Sequence, residues 1–287
     1  MTTPSPSICG PLSIARVHRS DRYRRGVQRI THLGRTLTLG EPTHRWLASL
    51  VGLGAVAGWA RPGSASPAEA MFRTAATIAL VWMLIRELGP DGQKAALAGA
   101  AVAGLAVVYT GDTELAALAG LALASRVLTR STGRVPLITD IVAIGVFAGV
   151  FARTPLAWTA GLAVAAAVAL DTGLPRPAPD RYVWLAAAIG VSVTVTAVIS
   201  GAVYLNWMRP YLLTLSAGVV AWVVLLRSPS TPRTLDDHGR EFVPTRIRSA
   251  RLLALGAVTL GTLVGGAAFA TGSWPLWVGL AFAAVPR

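Results

Sequence analysis

Arginines beside the end of one apolar segment could hold an anionic group. Arg126 and Arg130 are four residues apart, so both project from one face of the predicted helix. Arg134 follows in the turn Ser131-Thr132-Gly133-Arg134. Guanidinium groups form paired hydrogen bonds with phosphate and carboxylate oxygens, which makes these three arginines a candidate anion- or phosphate-binding site. Ordinary orientation of a chain in a membrane would also place arginines here.

Three carboxylates are predicted within about one helical turn of the same membrane surface: Glu87, Asp140 and Asp171. They are candidate catalytic residues, because they could counter the arginines or hold Mg²⁺ on a diphosphate. Local ion pairs are the structural alternative. The rule that orients membrane proteins concerns basic residues and calls for no acids, so the acids are the stronger part of the functional case.

Hydroxyl groups form one stripe along the segment 182–204. Ser192, Thr196 and Ser200 recur every four residues, and Gly190 and Gly201 keep other faces of the same segment small. Small residues let membrane helices approach closely, and hydroxyls form hydrogen bonds across the contact. The stripe predicts either a packing face or a solute path, and in both cases a helix near the centre of the bundle.

The sequence has no pattern for a metal site or a bound cofactor. Cys9 is its only cysteine, and its four histidines lie outside the apolar segments. It has no Walker loop, no His-Glu-x-x-His and no serine in a Gly-x-Ser-x-Gly elbow. We therefore predict no metal and no cofactor.

The elements that must position these residues are apolar segments long enough for a membrane. The chain has 287 residues, is 53% hydrophobic and only 14% charged, whereas soluble domains carry about 25% charged residues. Ten apolar segments follow residue 45: 46–60, 72–86, 94–110, 114–130, 137–153, 155–171, 182–204, 210–227, 250–271 and 274–285. The last is short enough for a half-span or a re-entrant segment.

The basic residues predict the orientation of these segments. If the N-terminal tail is cytoplasmic, the inner loops hold most of the arginines, whereas Arg61, Arg153 and Arg209 are the ones in outer loops. This alternation is the positive-inside pattern for about ten spans with both termini cytoplasmic. The predicted fold is an all-α, polytopic transmembrane bundle in the cytoplasmic (cell) membrane.

Residues 1–45 form a basic N-terminal tail, and residues 46–287 form the membrane domain. The tail is either disordered or a short helix on the membrane surface, in which Tyr23, Val27, Ile30 and Leu33 share an apolar face. The net charge of +13 is explained by membrane orientation, so we expect no nucleic-acid partner. The predicted partners are the bilayer and anionic lipid headgroups at the cytoplasmic face, with a membrane protein as a further candidate.

A short repeat recurs in three segments. The pattern Gly-Leu-Ala-x-Ala occurs at 120–124, 161–165 and 279–283, each time shortly after a predicted outer turn. The first two copies are 41 residues apart, which is the length of one helical hairpin. The repeat indicates duplicated hairpins or is a chance match between Ala- and Gly-rich helices.

Three hypotheses for the function follow. The preferred one is a small-solute permease, because a compact bundle offers little else around which to build a site. Against it, no ionisable group is predicted at mid-membrane, where transport sites often place one. The second is a membrane enzyme that acts on an anionic or phosphorylated lipid at the cytoplasmic face. The third is a non-catalytic subunit of a larger membrane complex.

The hypotheses predict different structures. A permease should have a cavity that reaches mid-membrane beside Ser192. An enzyme should bring Glu87 and Asp140 together with the Arg126/Arg130 pair, within reach of a metal or phosphate. A subunit should have neither, and instead a broad apolar face for a protein partner.

Overall fold

The computed structural model of the protein describes residues 31–33, 40–64, 66–203, 222, 223, 225, 227, 232, 234–236 and 239–284, without the side chains of 266–271. Within these residues the secondary structure is helical, with one isolated β-bridge between Leu235 and Glu241. The helices with bounds in this part of the chain are α1 Pro42–Trp59, α2 Pro67–Leu88, α3 Gln93–Thr110, α4 Leu115–Thr129, α5 Ile138–Phe151, α6 Pro155–Asp171, α7 Tyr182–Ile199 and α8 Pro244–Ala283. The all-α prediction is confirmed for the described residues.

The apolar segments predicted α1 to α7 to within five residues at each end, and α6 begins and ends at the predicted residues. Local capping explains why such helix ends can be predicted from the sequence. Ser66 accepts a hydrogen bond from the Glu69 amide at the start of α2, and Pro67 occupies the first helical position. Gly111 ends α3 in the left-handed conformation, with φ 80°. The predicted segment 210–227 lies outside the described residues, apart from helical positions at 222, 223, 225 and 227.

The last helix differs from the prediction. Two segments separated by a turn at 271–275 were expected, whereas the bounds of α8 run across that turn. Arg251 nevertheless donates to the Leu88 carbonyl, and a Cβ at Gly89 would lie 2.8 Å from the Ala283 carbonyl oxygen. A straight helix would separate residues 251 and 283 by about 48 Å. The chain therefore reverses direction within α8 and forms two arms.

The helix ends define two ends of the bundle. At the arginine-rich end, α2, α4 and α6 end and α1, α3, α5, α7 and α8 begin. At the opposite end lie the α3–α4 and α5–α6 turns and Gly272 of α8, whose carbonyl accepts a hydrogen bond from the Glu114 amide. Most residues of α4 and α6 are buried, 11 of 15 and 11 of 17 respectively. The α6 helix packs against α4, α5, α7 and α8, and α4 packs against α2, α5, α6 and α8.

Four helical stretches are long and apolar enough to cross a membrane: Pro67–Leu88, Gln93–Thr110, Tyr182–Ile199 and Pro244–Gly265. The helices α4, α5 and α6 are apolar but shorter. Large apolar side chains such as Leu53, Leu105 and Ile199 are exposed on the lateral surface. An exposed apolar surface of this extent suits a lipid environment. The structure thus supports a membrane bundle, with at least four candidate spans in the described part of the chain.

Residues near the predicted boundary at 45 contact the bundle. The first helix already begins at Pro42, and three residues of the predicted tail, 31–33, pack against the loop between α4 and α5. Leu33 is buried in the hydrophobic core. Leu33 is thus the one residue of the predicted apolar face that is described, and residues 31–33 are not helical. Tyr23, Val27 and Ile30 lie outside the described residues.

Candidate functional site

Asp171 is the centre of a buried charge network at the arginine-rich end. Arg130 donates to both of its carboxylate oxygens, from Nε at 3.0 Å and from Nη2 at 2.8 Å. Arg246 of α8 donates to the same carboxylate at 2.5 Å. All three side chains are more than 90% buried, so each guanidinium is paired with the carboxylate away from water. The network joins the ends of α4 and α6 to the start of α8.

Two arginine backbones adopt the left-handed conformation around this network. Arg130 ends α4 with φ 49°, and Arg176 has φ 59° in the loop between α6 and α7. Such conformations are uncommon outside glycine and persist where surrounding contacts hold them. Here the Arg176 carbonyl accepts hydrogen bonds from both Arg130 and Arg246. The loop after α6 is thereby fixed to the same two guanidinium groups.

Glu87 and Arg126 form a second buried pair. The Glu87 carboxylate accepts hydrogen bonds from Thr129 at 2.6 Å and from Ser131 at 2.8 Å. Arg126 lies beside it, with Nε 3.6 Å from the nearest carboxylate oxygen. Among the described residues, Nε and Nη2 of Arg126 have no hydrogen-bond partner, and Nη1 has only the Met83 sulfur at 3.5 Å. We call Glu87, Arg126, Arg130, Asp171 and Arg246 the arginine network.

Asp140 has a different role from the one predicted. Its Oδ2 atom accepts hydrogen bonds from two backbone amides, that of Leu137 at 3.0 Å and that of His32 at 2.9 Å. The first bond caps the start of α5, and the second attaches residues 31–33 to the bundle. His32 also meets the Val135 carbonyl through Nδ1 at 2.6 Å. The partners of Asp140 are thus structural ones.

The three predicted acids therefore occupy separate sites with separate partners. Within the described residues, no group of three His, Cys, Asp or Glu side chains could hold a metal ion. The predicted anion ligands Arg126 and Arg130 instead face Glu87 and Asp171. Arg134, the third, is partly buried and already engaged in an interaction.

The hydroxyl stripe of α7, predicted to lie on a central helix, lies at the periphery of the described part of the bundle. Ser192 and Ser200 are exposed and Thr196 is partly exposed. In the described part of the chain, α7 packs only against α5 and α6, through Tyr182, Ala186, Ile189, Val193 and Ala197. Beside Ser192 is an apolar groove of about 200 Å³ between α5 and α7. Because α7 is apolar all round, its sequence does not reveal which face is covered.

Sequence reasoning missed Glu114, which lies at a junction of three turns in the opposite half of the bundle. Its carboxylate accepts a hydrogen bond from Thr154 of the α5–α6 turn at 3.2 Å. Its amide donates to the Gly272 carbonyl at the reversal of α8, at 3.4 Å. The adjacent Thr113 accepts a hydrogen bond from Thr77 at 3.3 Å. We call Thr77, Thr113, Glu114, Thr154 and Gly272 the turn junction.

The turn junction is recessed into the bundle. Thr77 is the eleventh of the 22 residues of α2, so its contact with Thr113 brings the α3–α4 turn to the middle of that helix. The three turns that meet there are the ones that precede the three Gly-Leu-Ala-x-Ala copies in the sequence. The repeat thus coincides with a structural relation, because α4, α6 and the second arm of α8 all start beside Glu114.

Burial raises the pKa of the Glu114 carboxyl above its ordinary value. The hydrogen bond from Thr154 and the positive charge of Arg73 oppose this shift, and the negative charge of Asp112 adds to it. Burial prevails because Glu114 has one hydroxyl donor and no direct ion pair among the described residues. The carboxyl therefore binds a proton more readily than an exposed glutamate does.

Little in the sequence pointed to these contacts. Glu114 directly precedes a helix, and an acid in that position is ordinarily a cap. Arg246 is one of many arginines near the start of α8 and was attributed to membrane orientation. The 41-residue spacing was the available signal, since Arg130 and Asp171 stand 41 residues apart and pair with each other. Comparison with family models, curated proteins and solved structures found no match to this chain.

Proposed function

We propose that the protein is a small-solute permease of the cytoplasmic membrane in which Glu114 is the ionisable group of the transport path. The observation that carries the proposal is the position of this carboxyl beside three turns in the half of the bundle away from the arginine-rich end, with the adjacent Thr113 in contact with Thr77 of α2. Ionisable groups inside membrane bundles are costly, and where they occur they commonly serve solute or proton transfer. Burial raises the pKa of Glu114 and so favours its protonated form, which suits a group that exchanges a proton.

The surrounding structure supports the same function. The junction supplies hydroxyl groups from Thr113 and Thr154, and peptide groups at the reversal of α8. Secondary transporters build their sites near the bilayer midplane from helices that are interrupted there, because an interrupted helix exposes peptide groups to the solute. The reversal of α8 is such an interruption.

The proposal includes the finer topology. About ten spans with both termini cytoplasmic place the arginine-rich end at the cytoplasmic face, in accord with the positive-inside rule. The turn junction then opens toward the outer side. Two hypotheses are less well supported: the lipid enzyme because its carboxylates occupy separate sites, and the subunit because no protein partner is needed to explain the described contacts.

Transport by the purified protein tests the proposal. The full chain is reconstituted into liposomes, and charge displacement is recorded on a solid-supported membrane under an inward proton gradient. Pools of amino acids, organic acids, sugars and nucleosides are applied, and an active pool is then divided into its components. We expect at least one pool to give a protein-dependent signal, and Glu114→Gln to reduce that signal at least about ten-fold, since the variant cannot release a proton.

Asp112→Asn is the matched control. Asp112 is an exposed acid two residues from Glu114 and belongs to the same turn. This variant should transport within about two-fold of the unmodified protein, since surface substitutions of this kind perturb little. The proposal fails if no pool elicits a protein-dependent signal. The role of Glu114 fails if Glu114→Gln transports as well as Asp112→Asn does.

A further inference from the structure

A polar cavity lies at the arginine-rich end, away from the turn junction. Its volume is about 220 Å³. It is enclosed by the end of α4, the loop after α6, the start of α8 and the hairpin that precedes α8. Four arginines line it, Arg130, Arg176, Arg240 and Arg246, against two acids, Asp236 and Glu241. The lining thus carries a formal excess of two positive charges.

The buried charges do not account for this excess. Among the described residues, the buried charged groups are four carboxylates (Glu87, Asp140, Asp171 and Asp236) and four guanidinium groups (Arg126, Arg130, Arg246 and Arg251). These balance one another. Asp171, behind the wall, pairs with both buried arginines of the lining, and with Asp236 it balances their charge. The exposed lining groups Arg176, Arg240 and Glu241 then leave a net charge of +1. The guanidinium groups of Arg176 and Arg240 have no ion-pair partner within the described residues.

The hydrogen bonds show which arginines can bind a ligand. Arg246 makes five hydrogen bonds, to Asp171 and to the carbonyls of Leu128, Pro175 and Arg176. These use all five N–H groups of a guanidinium, so Arg246 holds the cavity wall in place. Arg130 uses three of its five N–H groups and keeps two for a ligand. Together with Arg176 and Arg240 it can surround an anion.

The size of the cavity limits the anion. Cavities that hold drug-sized ligands are typically about 300–1,000 Å³, whereas one water occupies about 30 Å³. A cavity of about 220 Å³ fits one tetrahedral oxyanion with a short organic substituent. Arginines that converge from three segments of chain suit the three or four oxygens of phosphate better than the two of a carboxylate.

We propose that this cavity binds a phosphate group, either free phosphate or the phosphate of a lipid headgroup. Arg176 and Arg240 make the direct contacts, Arg130 contributes its remaining N–H groups, and Asp171 and Arg246 position Arg130. The site differs from the one expected at Arg126, Arg130 and Arg134, and binding there does not require transport through the turn junction.

Binding of two phosphate probes to the detergent-purified full chain tests the proposal. Inorganic phosphate is titrated by calorimetry, and dioleoyl phosphatidic acid is compared with dioleoyl phosphatidylcholine by native mass spectrometry. We expect the double variant Arg176→Gln/Arg240→Gln to bind at least about ten-fold more weakly, because it lacks two charged donors. Arg248→Gln is the matched control: Arg248 is an exposed arginine near the start of α8 that does not line the cavity, and its variant should bind within about two-fold of the unmodified protein.

The two probes separate the sources of phosphate. Measurable binding of inorganic phosphate supports a free anion as the ligand. A preference for phosphatidic acid over phosphatidylcholine, with no binding of inorganic phosphate, supports a lipid headgroup. Binding of neither probe overturns the proposal, as does a double variant that binds like the control. If the double variant does not fold, Glu241→Gln decides the question. Removing this carboxylate should strengthen binding about three-fold, and unchanged or weaker binding would reject the site.

Discussion

The arginine network and the turn junction differ in the partners that they provide for a carboxylate. In the network, Asp171 is held by two guanidinium groups and Glu87 by two hydroxyls with Arg126 beside it. At the junction, Glu114 has a single hydroxyl donor and a more distant arginine. The carboxylates of the network are neutralised where they lie and tie helices together. The carboxyl of the junction is partly buried and has no such charged partner among the described residues. The number of partners thus separates the carboxylates that tie helices together from the one for which we propose proton exchange.

The largest expected effect comes from removing the central carboxylate of the network. Asp171→Asn leaves Arg130 and Arg246 buried without a counter-charge, and breaking a buried ion pair in this way costs about 3–5 kcal/mol. Thermal unfolding in detergent, followed by tryptophan fluorescence, measures the loss. Asp180→Asn, at an exposed acid of the loop between α6 and α7, is the control and should unfold like the unmodified protein. Equal stability of the two variants would remove the structural role that we assign to the network.

Glu114→Gln should have a smaller effect on stability, and one that depends on pH. Because burial raises the pKa of Glu114 in the folded protein, the folded state binds more protons than the unfolded one between the two pKa values. The contribution of Glu114 to stability is therefore present below about pH 4.3, the pKa of an unperturbed glutamate, and is lost as pH rises through the raised value.

The glutamine side chain has no proton to lose. The melting temperature of the Glu114→Gln variant should therefore exceed that of the unmodified protein at pH 8, and the two melting temperatures should converge near pH 4. Melting curves of both proteins from pH 4 to pH 8 measure this difference. Asp112→Asn should show no such crossover, since Asp112 is exposed. A constant difference between the Glu114→Gln and unmodified proteins at all pH values would contradict the contrast between the two regions.

The smallest effect is expected for substitutions outside both the arginine network and the turn junction. Ser192 and Ser200 are exposed on α7, and the Ser200 hydroxyl donates to carbonyls of its own helix. Substituting alanine at either position should change stability by less than about 0.5 kcal/mol and leave transport unchanged. The same unfolding and transport assays measure both. A transport defect in Ser192→Ala would show that the apolar groove beside it, and not the turn junction, is the functional site.

Much of the fold could be predicted from the sequence, because apolar segments and their caps are local features. Pro155 and Asp171 bound α6 as expected, and Ser66 with Pro67 begins α2 a few residues before the apolar segment suggested. The reversal of α8 was expected as a turn between two segments, and the sequence signals for it, Gly272 and Pro275, lie where the chain turns back. Its exact form depended on contacts with Leu88 and Gly89 far away in the chain.

The candidate site was less predictable, because charges and hydroxyls carry no local sign of their partners. The sequence placed Arg130 and Asp171 near one membrane surface, and only the packing of α4 beside α6 turned them into an ion pair. The sequence predicted that Ser192 lies on a central helix, whereas α7 lies at the periphery of the described part of the bundle.

By itself, then, the sequence determined that the chain forms apolar helices with arginines at one end, since hydropathy and charge act on each segment separately. Only the tertiary structure decided that Asp171 and Glu87 lie beside arginines and that Glu114, within the described part of the chain, does not, because burial and pairing depend on segments that are distant in the chain.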